Sequence, residues 1–166
     1  MPVPTASLDV IEDFLAQKRI AMLGISREPT NFSVLLFKEL CRRGYDVVPV
    51  NPQASEIQGH RCYARVQDIQ PPVDAALLMT SPAVTEAVVV DCAQAGIGRI
   101  WMYRAAGDGA VSPRAMEFCR KHGIQFVPGE CPFMFLPGNG FHGIHGLIRK
   151  ITGRFPKRDK PRSMAA

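Results

Sequence analysis

One local pattern occurs three times in this chain: a helical segment, a glycine and a short apolar strand. The helical segments span 34–43, 83–95 and 113–122, and the strands that follow them span 46–50, 99–102 and 125–127. The glycines between them, Gly44, Gly96 and Gly123, stand where a helix needs a left-handed residue to end. Alternating helices and strands predict an α/β fold with parallel strands connected by right-handed crossovers.

Two further apolar runs complete the predicted sheet. Residues 19–23 lead into Gly24, and residues 73–79 lead into Thr80. Nearly continuous apolar runs are typical of parallel strands that are covered on both faces. We therefore predict a single doubly wound, Rossmann-like, three-layer domain with a five-stranded parallel sheet in the order 3-2-1-4-5. Between residues 53 and 72 we expect only a short helical turn near 66–69.

Serines mark the expected helix starts. Ser7 is the predicted N-cap of a short helix that precedes the first strand. Ser81-Pro82 and Ser112-Pro113 each offer an N-cap hydroxyl and a proline at the first helical position.

Size and composition indicate an ordinary globular domain. The chain has 166 residues, of which 46% are apolar and 21% charged, so disordered, coiled-coil and collagen-like chains are excluded. It contains no apolar stretch of the ~18 residues that a membrane span requires, and no secretory signal is evident. The five cysteines form no C-x-x-C pair. We therefore expect a cytoplasmic protein with free thiols and no membrane partner.

The positive charge is concentrated at the C-terminus. The net charge is +5, and residues 149–166, with seven basic side chains and one acid, carry +6 of it. The rest of the chain therefore carries −1. We predict a folded domain over 1–153, with a last helix at 141–152, followed by a basic, mobile tail over 154–166.

The loop after the first strand, residues 24–33, has the features of a phosphate site. Gly24 permits close backbone approach, and the following helix offers unpaired N–H groups and a partial positive charge. Polar and basic side chains in the loop could add donors; these are Ser26, Arg27, Asn31 and Ser33. An ordinary capped strand–helix turn is the alternative.

This loop is not a dinucleotide fingerprint. The G-x-G-x-x-G pattern would require glycines where Ser26 and Pro29 stand, and no G-K-[ST] of a P-loop follows. The second strand ends in Asn51-Pro52 rather than in the acidic residue that NAD-binding proteins place there. The sequence therefore predicts a phosphate-rich nucleotide ligand other than NAD.

The chain resembles the small stand-alone CoA-binding proteins, whose Rossmann-like fold also occurs in the CoA-binding domain of the succinyl-CoA synthetase alpha subunit. The resemblance covers about residues 10–137. It rests on short motifs, namely Gly24-Ile25-Ser26, the 44–52 run that ends in Val50-Asn51-Pro52, Ile57-x-Gly59, Cys62-Tyr63, Val73-Asp74 and Cys131-Pro132.

The resemblance implies that coenzyme A or a short acyl-CoA lies across the ends of the first three strands. The residues expected to hold phosphate are Gly24, Ile25, Ser26, Arg27, Asn31 and Ser33. Asn51 and Pro52 would border the adenosine, and the far wall would comprise Thr80, Ser81, Pro82 and Val84. Position 53, often basic in the family, is Gln53, which leaves the partner of the ligand 3′-phosphate open.

No catalytic constellation and no metal site are predicted. Cys131 could form a mixed disulfide with CoA or act as a sensor if its pKa were lowered, but a half-buried structural cysteine is the alternative. His142 and His145, with Cys131, lack a fourth zinc ligand. We therefore predict non-catalytic binding of CoA or acyl-CoA.

Two other functions stay open. A nucleotide-sensing regulator could contact nucleic acid or a partner through the basic tail, although no helix-turn-helix, zinc finger or aromatic RNA-binding signature accompanies it. An enzyme related to ADP-forming acyl-CoA synthetases would need a partner subunit for the domains that this chain lacks. A homodimer is also left open.

Overall fold

The computed structural model describes residues 3–104, 107–137 and 156–159. Its helices are α1 (Leu8–Ala16), α2 (Phe32–Arg42), α3 (Pro82–Gln94) and α4 (Pro113–Lys121). Its strands are β1 (Arg19–Leu23), β2 (Asp46–Val50), β3 (Glu56–Ile57), β4 (His60–Arg61), β5 (Ala75–Leu78), β6 (Arg99–Met102) and β7 (Gln125–Pro128). Short 3₁₀ turns cover Val66–Asp68 and Pro132–Met134.

Five of these strands form one parallel sheet. β1 pairs with β2 and β5, β6 pairs with β5 and β7, and all of these pairings are parallel. The α/β class and the five-stranded parallel sheet are thus confirmed. The predicted helix ends are confirmed as well, because Gly44, Gly96 and Gly123 all have positive φ, at 84°, 78° and 67°.

The predicted strand order is wrong. The sheet runs β2-β1-β5-β6-β7, which in terms of the five long strands is 2-1-3-4-5 rather than 3-2-1-4-5. The place expected for the third strand is filled by Tyr63, which forms a single parallel bridge with Val50. The chain then passes to the other side of β1 before it forms β5. Pro49 in β2 signals this arrangement, because a proline is tolerated in an edge strand but not in the middle of a sheet.

Helices cover both faces of the sheet, as the prediction of three layers requires. One apolar cluster joins α1 and α2 to the sheet and includes Phe14, Phe37 and Trp101. The other joins α3 and α4 to the opposite face and includes Val89 and Met116. Because the helices run antiparallel to the strands that they cover, α2 and α3 both begin at the edge where the strands end.

All three predicted N-cap positions are confirmed, and two of the three serines make the capping hydrogen bond. Ser7 accepts a hydrogen bond from the Val10 N–H at 3.4 Å, and Ser112 accepts one from the Ala115 N–H at 3.3 Å. Ser81 occupies the predicted N-cap position of α3 and Pro82 begins the helix, but the Ser81 side chain makes no capping hydrogen bond. Its backbone is extended, with φ −74° and ψ 160°.

The described part of the tail lies along the first turn of α1. The Leu8 N–H donates to the Lys157 carbonyl at 2.9 Å. The Arg158 guanidinium forms ion pairs with Asp9 at 3.0 Å and with Glu12 at 2.8 Å. The predicted helix at 141–152, His142 and His145 lie outside the described residues. The domain boundary at 153 and the mobility of the tail remain predictions.

No helix among the described residues is both long enough and apolar enough to cross a bilayer.

Candidate functional site

The predicted site residues follow three neighbouring strands. β1 lies between β2 and β5, so the loops that begin at Gly24, Asn51 and Thr80 leave the same edge of the sheet side by side. In an open α/β sheet, ligands bind at this edge, where the connections from adjacent strands diverge to opposite faces. The corrected strand order therefore brings the loop after β5 into contact with the loop after β1.

Gly24 lies directly against the loop that follows β5. Its φ is +80°, and a Cβ at this position would be 2.8 Å from Thr80 Cγ2 and 2.9 Å from the Met79 carbonyl carbon. Contacts this short are not tolerated between real atoms, so a residue with a side chain would push the two loops apart. Gly24 is thus required both by its backbone conformation and by the close approach of the two loops.

Three of the predicted donors are hydrogen-bonded to one another in the loop between β1 and α2. The Ser33 hydroxyl donates to Asn31 Oδ1 at 2.7 Å and accepts from the Ser26 N–H at 2.9 Å. Asn31 Oδ1 also accepts from the Ser33 N–H at 2.9 Å, which makes Asn31 the N-cap of α2. Ser33 is buried, with 3% of its surface exposed. Its hydroxyl therefore shapes the loop, while other groups remain available to a ligand.

The available groups surround the start of α2. Ser26 Oγ accepts from the Glu28 N–H at 3.0 Å, which leaves the hydroxyl proton free to donate. Within the described part of the chain, the Phe32 N–H makes no hydrogen bond and the Arg27 guanidinium makes no ion pair. Arg27 is exposed. A backbone donor at a helix start and a nearby cation are the features that bind a phosphate.

Asn51 connects the ends of β1 and β2. Its Nδ2 donates to the Ile25 carbonyl at 2.9 Å, and its Oδ1 accepts from the Gln53 N–H at 2.8 Å. Both ends of the amide are therefore used inside the protein. Asn51 can border a ligand, but its main effect is to fix the loop after β1. Pro52 beside it is exposed.

The start of α3 is open. Thr80 Oγ1 lies 2.6 Å from Thr85 Oγ1, and the Thr85 hydroxyl donates to the Ser81 carbonyl at 3.0 Å. The Ser81 side chain accepts no hydrogen bond from the N–H groups at the start of α3. Among the described residues, the N–H groups of Ala83 and Val84 have no acceptor. Val84 is 49% exposed. Unlike α2, which Asn31 caps, α3 has no side-chain cap at its start, and Thr80, two residues before α3, packs closely against Gly24.

An aromatic group at the same edge was not among the predicted site residues. The ring of Phe32, the first residue of α2, stacks on Tyr103 at 5.2 Å and meets Phe133 edge-on at 5.7 Å. Burial, and to a smaller extent the nearby Cys131 thiol, raises the pKa of Tyr103 to about 12. The signal in the sequence was Tyr103 directly after β6, but its partners come from distant segments.

The structure gives no support to a reactive Cys131. The pKa of this thiol is raised, chiefly by burial, so the thiolate that a sensor or a disulfide exchange requires is disfavoured. Burial raises the pKa of Cys92 to about 12 and that of Cys119 to about 11. Among the described residues, no group of three or more His, Cys, Asp or Glu side chains could hold a metal ion.

Comparison with known proteins identifies relatives that contain this domain. Over 151 residues the chain is 27% identical to acetate–CoA ligase (ADP-forming) II of Archaeoglobus fulgidus, a match that covers 84% of the chain and 22% of the ligase. It is 25% identical over 130 residues to the alpha subunit of acetate–CoA ligase (ADP-forming) II of Pyrococcus furiosus, covering 74% of the chain and 28% of the subunit. The chain thus spans about a quarter of the length of these relatives.

A solved structure of similar size matches nearly end to end. A hypothetical protein from Pyrococcus horikoshii superimposes with a TM-score of 0.70 at 26% identity, over 79% of this chain and 94% of that protein. Residues 18–137, which include every predicted site residue, match the sequence profile of the CoA binding domain. The chain therefore belongs to the CoA binding domain family.

Proposed function

We propose that this protein binds coenzyme A or a short acyl-CoA non-covalently at the edge formed by the ends of β1, β2 and β5. The diphosphate would lie between the starts of α2 and α3. The Phe32, Ala83 and Val84 N–H groups, the Ser26 hydroxyl and Arg27 would contact it. Asn51 and Pro52 would border the adenosine, and Thr80, Ser81, Pro82 and Val84 would form the far wall.

The observation that carries this proposal is the contact between Gly24 and Thr80. It brings the segment that leads into α3 directly against the first residue of the loop that leads into α2, and both helix starts have unused N–H groups. A diphosphate carries negative charge on two adjacent groups, so two neighbouring helix starts match it better than one. Asn31 and Ser33 contribute by fixing the loop, and Asn51 contributes by fixing Ile25.

The electrostatics of the loop are consistent with an anionic ligand. Between Gly24 and Ser33, Arg27 and Glu28 are the charged residues, and both are exposed. The Glu28 N–H is held by Ser26, which fixes the backbone of the loop but leaves the carboxylate in solvent. The fixed partial charges of the helix starts then add to Arg27, and together they favour an anion.

A thermal-shift panel tests the proposal. The purified chain is melted with CoA, acetyl-CoA, NAD, NADP and ATP, each in turn. A ligand at ~100 times its Kd adds ~2.7 kcal/mol, which at ~2–4 °C per kcal/mol raises the midpoint by roughly 5–10 °C. We expect this shift with CoA or acetyl-CoA and not with NAD. An equal shift with NAD, or no shift with any of the five compounds, would refute CoA binding.

We propose further that the chain itself carries out no chemistry and holds the cofactor for a partner. The match to a ligase alpha subunit favours this second function, the CoA-binding part of an acyl-CoA reaction completed by another polypeptide. Affinity purification of the full chain from lysate of its native cells tests it. Stoichiometric recovery of a second protein with acyl-CoA ligase activity is expected. Recovery of the chain alone, with CoA bound, would favour a carrier or sensor.

A further inference from the structure

Most arginines in the described part of the chain lie within 4.0 Å of a carboxylate. These ion pairs are Arg19–Asp46, Arg42–Glu39, Arg43–Glu39, Arg99–Asp13, Arg114–Glu86, Arg120–Glu117, Arg158–Asp9 and Arg158–Glu12. Across residues 3–104, 107–137 and 156–159, four arginines have no such partner, namely Arg27, Arg61, Arg65 and Arg104.

All four unpaired arginines lie at or beside the edge where the strands end. Arg27 follows β1 and Arg104 follows β6. Arg61 lies two residues before Tyr63, and Arg65 lies two residues after it. Tyr63 forms a β-bridge with Val50 at the end of β2. Four guanidinium groups with no carboxylate of the described residues within 4.0 Å therefore lie at or beside the proposed site, where they are available to pair with an anionic ligand.

Two hydrogen bonds and a ring contact fix the segment that carries Arg61 and Arg65. The Asn51 N–H donates to the Tyr63 carbonyl at 2.9 Å, and the Tyr63 N–H donates to the Pro49 carbonyl at 3.0 Å. The Arg61 guanidinium lies over the Tyr63 ring, 4.7 Å from its centre. Glu56 pairs with Arg61 in the β3–β4 register, but their side chains form no ion pair. Both arginines are exposed and available to a ligand.

The position of this segment matches one particular phosphate of CoA. This step rests on the proposed function, in which the adenosine borders Asn51 and Pro52. The diphosphate is accounted for by the two helix starts and Arg27, whereas the ribose 3′-phosphate would lie beside the end of β2. Gln53 is neutral and offers it no charge. Tyr63 forms a bridge with Val50 at the end of β2. The cationic residues closest to Tyr63 in the sequence are Arg61 and Arg65.

We infer that Arg61 and Arg65 form the subsite for the ribose 3′-phosphate, and that they make the protein select CoA over 3′-dephospho-CoA. A guanidinium suits this task because it remains charged at every accessible pH and can donate two parallel hydrogen bonds to a phosphate. The two arginines are on a segment that the proposed diphosphate site does not use. Selection for the 3′-phosphate should therefore be separable from binding of the diphosphate.

Isothermal titration calorimetry with both ligands tests this inference. The full chain, the double variant Arg61→Gln/Arg65→Gln, and the single variant Arg65→Gln, which keeps Arg61 on the Tyr63 ring, are each titrated with CoA and 3′-dephospho-CoA. Arg114→Gln, which removes an exposed charge on α4, is the matched control. We expect the unmodified chain and the control to bind CoA about tenfold more tightly than 3′-dephospho-CoA, a difference equivalent to ~1.4 kcal/mol. The double variant should bind both ligands with nearly equal affinity.

The possible failures differ in what they overturn. If the unmodified chain binds both ligands equally, or if the folded double and single variants keep the tenfold preference, Arg61 and Arg65 are not the subsite, although CoA binding stands. If the unmodified chain binds neither ligand, the proposed function fails and this inference fails with it. Circular dichroism of each variant establishes that a lost preference is not lost folding.

Discussion

The side-chain amide of Asn51 donates a hydrogen bond to the main-chain carbonyl of Ile25 across 2.9 Å. Asn51 is the first residue after β2, and Ile25 is the second residue after β1. This bond therefore connects two neighbouring loops at the edge of the sheet. Ile25 is fully buried. Asn51, which the family resemblance implies would border a ligand, therefore fixes the position of the loop after β1.

Removal of this amide should lower both stability and CoA affinity. Asn51→Ala leaves the Ile25 carbonyl without its side-chain partner, and a buried unsatisfied acceptor costs about 1–3 kcal/mol. We expect a loss of this size in the free energy of urea unfolding. The matched control is Gln53→Ala, because that variant keeps the Gln53 N–H that donates to Asn51. Equal stability of Asn51→Ala and Gln53→Ala would contradict the role given to Asn51.

Local features made most of the secondary structure predictable. Gly44, Gly96 and Gly123 end helices because each supplies a left-handed backbone, a property that a residue and its neighbours determine by themselves. The strand order depends instead on where a connection of more than twenty residues crosses the sheet. Its one local signal was Pro49, which favours an edge position for β2.

The location of the site was predictable, but the tasks of its residues were not. Gly24, Asn51 and Thr80 follow strands, so their common edge follows from the topology alone. The Ser33 hydroxyl is hydrogen-bonded to the Ser26 N–H and to Asn31 Oδ1, and these bonds depend on the exact path of the loop. The missing cap at Ser81 and the approach of Tyr63 to Asn51 are likewise tertiary features that no residue pattern encodes.

Gly24→Ala and Gly44→Ala form a matched pair. Both glycines have φ near +80°, so alanine at either position has the same backbone strain, about 1–2 kcal/mol. At Gly44 nothing lies within 4 Å of the added Cβ, whereas at Gly24 the Cβ meets Thr80 and Met79. We expect Gly24→Ala to be the more destabilising by about 1–3 kcal/mol in chemical denaturation, because the two loops must separate. Equal losses would show that the loops approach less closely than described.

Asn31→Asp tests the charge of the ligand with little change in shape. Aspartate is a good N-cap and can still accept from the Ser33 N–H and hydroxyl, so the unfolding free energy should be unchanged or slightly raised. CoA affinity should fall about tenfold, since a negative charge would be added at the start of α2 beside the proposed diphosphate position, and high salt should reduce the difference. Gln125→Glu, which adds the same charge at the start of β7, is the control. CoA affinity that is unaffected by Asn31→Asp would rule out phosphate at this loop.

The buried thiols should make the protein less stable at alkaline pH. The pKa of Cys92 is raised to about 12 and that of Cys119 to about 11, whereas a thiol in the unfolded chain ionises near 9. As the pH rises above about 9, the unfolded chain loses protons that the folded chain retains, so unfolding is favoured. The contribution is complete at pH 8 and is lost progressively between pH 9 and 12.

Urea unfolding at pH 8 and pH 10.5 checks this dependence. We expect the unfolding free energy to be lower at pH 10.5 by roughly 2 kcal/mol or more. In the variant Cys92→Ala/Cys119→Ala the difference between the two pH values should be clearly smaller, although the variant is less stable at both. An undiminished difference in that variant would assign the alkaline loss to other groups.

The most direct test of the central claim is amide chemical-shift mapping of the ¹⁵N-labelled chain during titration with CoA. The amides of Arg27, Phe32, Ala83 and Val84 should shift together and saturate, because they surround the proposed diphosphate position between α2 and α3. Resonances of α4 should stay in place. Saturable shifts confined to α4 or to the basic tail, with the loop after β1 unaffected, would contradict CoA binding at this edge of the sheet.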